Sequence, residues 1–513
     1  MRTSSQQDVK SSEAPHGQWL SLDEVIDRIV ADSGRATPAI AFAISGGGAT
    51  GAYEAGVLEA WLQRVQKRYP TVAYLRPKFV LGSSAGALNA ITVLVSNLRP
   101  SAGPAFGFEV WESITPRASR YVVGKTRSCL VDLATRWVKL PRLALFAATL
   151  VLLFAALLIV SPVLGSLPLD RLGAHELAQA IQDHPVRSSA AGALVAVAVG
   201  LLAGIIFRDA VFGNAALKRT LACVLSASCD PKTGKLPKGE LRRRPNPMQA
   251  SEALVASWYE AVPRTRINFI VTATDLSTGG ANLFTLVEPE VYKQLANNAW
   301  QVMQLSATKL PPSYGGSPNC GWVSARDFVT CVVASTSIPG VFPSQRLMLH
   351  SLDGKDDAEH DFVDGGVLNN TPIHIAIDAG ATHVISLELE PLRHERAFMY
   401  VERGEPPNLA RNVAETFQTL LASATRQGIR VSSSWNRQIR DARGAAPSGK
   451  RLVPIFRMAP RRRELNLIDF NGHYHSAFSK AHPSLEQWLI QGQSDAGQPK
   501  PKLFWDATFQ ADP

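Results

Sequence analysis

Twice between Pro38 and Leu98 a short apolar run meets a cluster of glycines and continues as a helix-like stretch: PAIAFAIS-GGGATG-AYEAGVLEAWLQRVQKR, then KFVL-GSSAG-ALNAITVLVSNL. Apolar runs with no alternating polar residue belong to strands buried on both faces. Helices that follow such strands return the chain over the sheet, so the alternation predicts an α/β fold with a mainly parallel sheet covered on both sides. Further strands are expected in INFIVTATDL (267–276), HVISLEL (383–389) and VPIFRM (453–458). A polar tail and one short amphipathic helix, LSLDEVIDRIVADSG, ended by Gly34, make up residues 1–37.

The alternation is interrupted. Between Arg142 and Asp170 lie 27 residues without a charge, and between Arg187 and Arg208 another 20. Each reaches the roughly 20 residues needed to cross about 30 Å of hydrocarbon. Neither shows the polar stripe of a soluble core helix, and a short polar connection joins them, so they read as a transmembrane hairpin over 137–208. Arg117, Arg120, Lys125, Arg127, Arg136, Lys139 and Arg142 precede the pair, and Arg208, Lys218 and Arg219 follow it, whereas the connection carries only Arg171 and Arg187. The positive-inside rule then places both flanks in the cytoplasm. The expectation is an integral membrane protein with two transmembrane helices, the catalytic domain on the cytoplasmic side and the connection between the helices facing out.

Lys and Arg outnumber Asp and Glu by 53 to 43, which favours an anionic partner. The longest basic runs, Arg242–Arg244 and Arg461–Arg463, are short, and no nucleic-acid-binding signature accompanies them, so a membrane surface is preferred to nucleic acid. Five cysteines, an odd number with no C-x-x-C pair, suit reduced thiols and suggest no zinc site. The first ten residues are polar with no apolar run behind them, so no secretory signal peptide is expected.

Gly46, Gly48 and Gly51 fit the spacing G-x-G-x-x-G after a strand and at a helix start. A dinucleotide site also needs an acidic residue about 20 positions on to hold a ribose, yet no Asp or Glu occurs between Arg64 and Ser83. The glycines are better suited to an oxyanion, because successive N–H groups at a helix N-terminus form a small positive nest. Downstream, Gly82-Ser83-Ser84-Ala85-Gly86 matches G-x-S-x-G, a sharp strand-to-helix corner that leaves the central hydroxyl of Ser84 at the apex.

A serine nucleophile needs a base. His374, His383, His473 and His475 follow Ser84, but none sits in a strand-end glycine context. Asp364, in DFVDGGVLNNTP, follows a short apolar run and precedes two glycines that permit close approach. A turn-forming aspartate would have the same appearance.

With GGGATG (46–51), GSSAG (82–86) and DGG (364–366) in this order, the chain resembles the patatin-like phospholipase family. FIVTATDLSTGG, STSIPGVFPS and AGATHVISLEL add softer similarity. The resemblance spans 38–136 and 209–390 and implies a three-layer α/β/α sandwich interrupted by the hairpin. The catalytic domain is then expected in two parts, 38–136 and 209–396, with a C-terminal extension at 397–513. It further implies Ser84 as nucleophile and Asp364 as its partner in a dyad without histidine, with Gly46, Gly47 and Gly48 lining an oxyanion hole and Gly51, Gly82, Gly86, Gly365 and Gly366 supporting the motifs. No cofactor or metal is implied. The family often carries Lys or Arg where this chain has Thr50. The implied activity is hydrolysis of fatty acyl esters of phospholipids or lysophospholipids at a bilayer; a catalytically silent membrane scaffold or lipid-binding protein is the alternative.

Overall fold

In the computed structural model the described residues are 17–33, 37–48, 51–72, 75–103, 105–114, 213–230, 233, 235–315, 320–353, 356–389, most of 419–439, 453–460 and 503–506. They fall almost entirely in one of two compact units, Met1–Val122 with Asn214–Pro339 and Ser344–Pro513. The other unit comprises Val123–Gly213 and Gly340–Pro343. The uncharged stretches 143–169 and 188–207, on which the expected hairpin rests, lie outside the described residues, as does Thr50. Among the described residues no helix is long and apolar enough to cross a membrane.

The first half supplies β1 (Gly17–Leu20), α1 (Leu22–Asp32), β2 (Ile40–Ile44), α2 (Gly51–Arg68), β3 (Phe79–Gly82), α3 (Ala85–Leu98), α4 (Phe106–Ile114), α5 (Ala215–Ser226) and α6 (Pro247–Glu260). Then follow β4 (Asn268–Asp275), β5 (Ala281–Leu286), α7 (Pro289–Asn297), β6 (Gln301–Ser306), β7 (Cys320–Ser324), α8 (Phe328–Ser335), β8 (Gln345–Ser351) and β9 (Ala358–Asp364). The chain continues with α9 (Ile373–Asp378), β10 (His383–Leu387), β11 (Ile455–Met458) and β12 (Leu503–Asp506).

Successive residues of the central strands point to opposite faces and build a separate core on each. Ile40, Phe42 and Ile44 of β2, Val80 of β3 and Phe269 and Val271 of β4 join a core with α1 to α6 and α8. Ala41, Ala43, Phe79, Leu81 and Ile270 join another with α7 and α9. Helices therefore cover both faces of the sheet. Burial of this kind, at about 25 cal/mol per Å² of apolar surface, is the main favourable term holding the layers together.

The strand order is β1-β12-β11-β10-β2-β3-β4-β5-β6-β7-β8-β9. Neighbours from β11 to β4 are all parallel, as expected for strands joined through helices. Outside them the expectation of a mainly parallel sheet needs correction, because β5, β8, β9 and β12 enter antiparallel and make the whole sheet mixed. A further pairing returns β9 to β4, with Ala273 opposite Asp364, so the strands from β4 to β9 close into a ring. The long β4 thus carries β3 along its first half and β9 along its second.

The order in which strands are added reverses at β2, since β3 lies on one side of it and the much later β10 on the other, both parallel to it. In open α/β sheets the crevice at the carboxyl ends of strands beside such a switch is where ligands bind.

Candidate active site

At the carboxyl end of β3 the chain turns into α3 within two residues, and Ser84 takes the strain, with φ 52° and ψ −123°. A non-glycine residue held there costs about 1–3 kcal/mol and persists only where its surroundings dictate it. Those surroundings are close: a side chain at Gly86 would strike the Ile44 carbonyl, and one at Gly82 the backbone of Gly86. At Gly51, the first residue of α2, a Cβ would stand 2.8 Å from that of Ala85. The Ser84 N–H is held by both the carbonyl and the hydroxyl of Ser335, each at 3.1 Å.

Asp364 ends β9 and is fixed on both sides of its Cα. Its N–H donates to the Ser337 carbonyl at 2.9 Å and its carbonyl accepts from the Thr274 hydroxyl at 3.0 Å. Its side chain is sealed from solvent, at 0% exposure against 2% for Ser84. Oδ1 accepts the Gly366 N–H at 2.7 Å, while Oδ2 has no hydrogen-bond partner among the described residues. Burial pushes the carboxyl up to about 7, and the Ser84 hydroxyl and the Gly366 N–H pull it back. The serine is therefore near enough to interact with the carboxyl, without a formed hydrogen bond at Oδ2.

Of the glycine turn, Gly46 N–H donates to both the carbonyl and the side-chain Oδ1 of Asn370, each at 3.1 Å. Asn370 Nδ2 returns a bond to the Gly46 carbonyl at 3.1 Å. A Cβ at Gly46 would sit 2.7 Å from that of Ser84, so the turn lies directly against the serine. Gly48 has φ 56°, in the left-handed region.

Beneath the turn runs a buried polar chain absent from the sequence-based expectations. The Ser45 hydroxyl donates to Glu54 Oε1 at 3.1 Å, and Asn89 Nδ2 donates to Glu54 Oε2 at 3.0 Å and to the Gly51 carbonyl at 2.9 Å. Trp111 Nε1 donates to Asn89 Oδ1 at 2.7 Å. Burial holds the Glu54 carboxyl well above the usual carboxylate range, against the pull of its hydrogen bonds to Asn89 and Ser45. In sequence Glu54 looks like an ordinary helix acid; its signal is the company of Ala52, Tyr53, Ala55 and Val57, all buried.

The histidines stand elsewhere in their packing. His374 is tilted against Trp300 with ring centroids 5.1 Å apart, and His383 is paired to Asp32 at 3.1 Å and to the Thr382 hydroxyl at 2.8 Å. His473 and His475 lie outside the described residues. Among the described residues no group of His, Cys, Asp and Glu is arranged to hold a metal ion.

A strained serine on a strand-to-helix corner, with a buried carboxyl at hand, has the form of the nucleophile elbow found in α/β serine hydrolases. Residues 42–377, more than half of the sequence, match the family described as patatin-like phospholipase, and the chain belongs to that family. Membership implies lipid acyl hydrolysis as the class of chemistry. No curated protein matches the sequence. Among solved structures the chain is similar to VipD from Legionella pneumophila at 12% identity and a TM-score of 0.31; the likeness covers 90% of this chain and spans 66% of that one.

Proposed function

We propose that the chain is a membrane-anchored serine hydrolase that cleaves fatty acyl esters of phospholipids or lysophospholipids, with Ser84 as nucleophile and Asp364 as base. The observation that carries this is the environment of Asp364: a carboxyl raised to about 7 beside a serine hydroxyl. A base works best with a pKa near the working pH, and an ordinary exposed aspartate is far too weak to activate an alcohol.

In the proposed reaction Asp364 accepts the Ser84 proton as Oγ bonds to the acyl carbon. The tetrahedral intermediate expels the alcohol, which leaves with the proton from Asp364, and an acyl-enzyme remains. Water, deprotonated by the same carboxylate, then attacks the acyl carbon, and the intermediate expels Ser84 Oγ, which regains the proton from Asp364 as the fatty acid leaves. The oxyanion is met by Gly47 and Gly48 N–H groups and by the positive end of α3. Gly46 serves as the anchor of the turn, its own N–H being spent on Asn370. Each oxyanion donor contributes about 3–4 kcal/mol to lowering the barrier.

The anchor in this proposal is the pair of uncharged stretches at 143–169 and 188–207. Ser84 precedes both and Asp364 follows both, so two crossings keep them on one side of a bilayer. Cysteine labelling within the 170–187 connection of intact cells tests this: labelling from outside is expected, and labelling from the cytoplasm alone excludes the hairpin. The chemistry is tested with a chromogenic fatty ester. Ser84→Ala and Asp364→Asn are each expected to lower kcat by 10³-fold or more, an order of magnitude set by removal of members of a catalytic unit; full activity in either rejects its assigned role.

A further inference from the structure

Both main-chain polar groups of Gly46 are taken by the side chain of Asn370. The remaining amide hydrogen of Asn370 Nδ2 goes to Thr425 Oγ1 at 2.9 Å, and Thr371 Oγ1 lies 3.2 Å from the same oxygen. Asn370, Thr371 and Thr425 are all buried. Thr425 belongs to helical residues of the C-terminal extension, and Gly428, three positions on and so on the same helix face, brings that helix against the loop: a Cβ there would be 3.3 Å from the Thr371 carbonyl.

We infer that Asn370 is a positioning residue for the oxyanion turn, and that Thr425 fixes it, so that the C-terminal extension completes the active site. This rests on the hydrolase proposal above. The Gly46 carbonyl and the Gly47 N–H share one planar trans peptide and point in opposite directions. Holding the carbonyl on Asn370 therefore aims the Gly47 N–H away from Asn370. An amide with both hydrogens and its oxygen engaged is fixed in rotamer and in flip. Loss of the Thr425 acceptor leaves one buried donor unpaired and frees the amide to turn, carrying the peptide plane with it. The effect belongs in stabilisation of the developing oxyanion, while capture of the neutral ester is untouched.

The test uses the full-length protein in detergent, a p-nitrophenyl fatty ester, and rates expressed per Ser84 labelled to completion by a fluorophosphonate, which counts folded sites only. Thr425→Val is expected to lower kcat about tenfold with KM within about twofold, Asn370→Ala about a hundredfold, and Thr425→Ser, which keeps the hydroxyl, to recover most of the loss. A trifluoromethyl ketone, which adds reversibly to a serine as an oxyanion, is expected to bind Thr425→Val more weakly by the same factor as kcat/KM falls. Unchanged kcat per labelled site in Thr425→Val, or unchanged ketone affinity, beside an inactive Ser84→Ala overturns the positioning role alone. A fully active Ser84→Ala overturns the nucleophile and the positioning role together.

Discussion

Asp364 and Glu54 are both buried acids whose carboxyls burial raises, and Asp364 carries a pH signature. For Asp364 the carboxyl stands near 7 in the folded chain against 3.8 for an unperturbed group. Well below pH 3.8 both states are protonated and stability is unaffected. As pH rises from about 4 to 7 the unfolded chain ionises first, so stability falls; above about 7 the loss is constant, of the order of 4 kcal/mol. Asp364→Asn removes this penalty, and its melting temperature relative to the parent is expected to rise across that window and then level off. Hydrolysis should run the other way, with kcat/KM climbing to a plateau through an inflexion near 7. A flat profile across pH 5–9, measured on a neutral ester, rejects Asp364 as the base. Glu54→Gln, which keeps the shape of the side chain and a polar partner for Ser45 and Asn89, should be tolerated, whereas Glu54→Ala leaves both short of a partner at about 1–3 kcal/mol each, read by thermal unfolding.

At the scale of elements, the closure of β9 on β4 sets where Asp364 stands. Gly365 permits it: a Cβ there would collide with the Thr272 carbonyl oxygen. Gly365→Ala should force β9 off β4 and lower kcat more than a hundredfold, an estimate based on the cost of angstrom-scale misplacement; activity per labelled serine near that of the parent disproves the dependence. The central strands were legible because β2, β3, β4, β10 and β11 are rich in apolar residues, chiefly Ile, Val, Leu, Phe and Ala. The ring was not: QVMQLS of β6 and QRLMLHS of β8 mix polar and apolar residues, and the β4–β9 pairing is a long-range contact with no local pattern. The same holds at the site. GGGATG, GSSAG and DGG are local geometry written in small residues, whereas Asn370 and Thr425 meet across the fold, and Asn370 is one amide in the stretch LNNTP.

For the whole molecule, the C-terminal extension is part of the sheet, since β11 and β12 continue it beyond β10. Arg457 of β11 grips Glu388, just after β10, with two bonds of 2.7 Å, and Glu388 is 2% exposed. Arg457→Ala should cost about 3–5 kcal/mol by stranding a buried carboxylate, measured by denaturant unfolding. Removing 397–513 altogether would bare the edge of β10, a template for pairing between chains; the shortened protein is expected in the void volume on size exclusion.

The shared edge of β4 also bears on how the protein is made. The proposed nucleophile leaves the ribosome early, with β3, but its carboxylate comes from β9 and the brace on the glycine turn later still. On the proposed mechanism a nascent chain stays inactive until Asp364 has been made, and its glycine turn is braced only after Thr425 has followed.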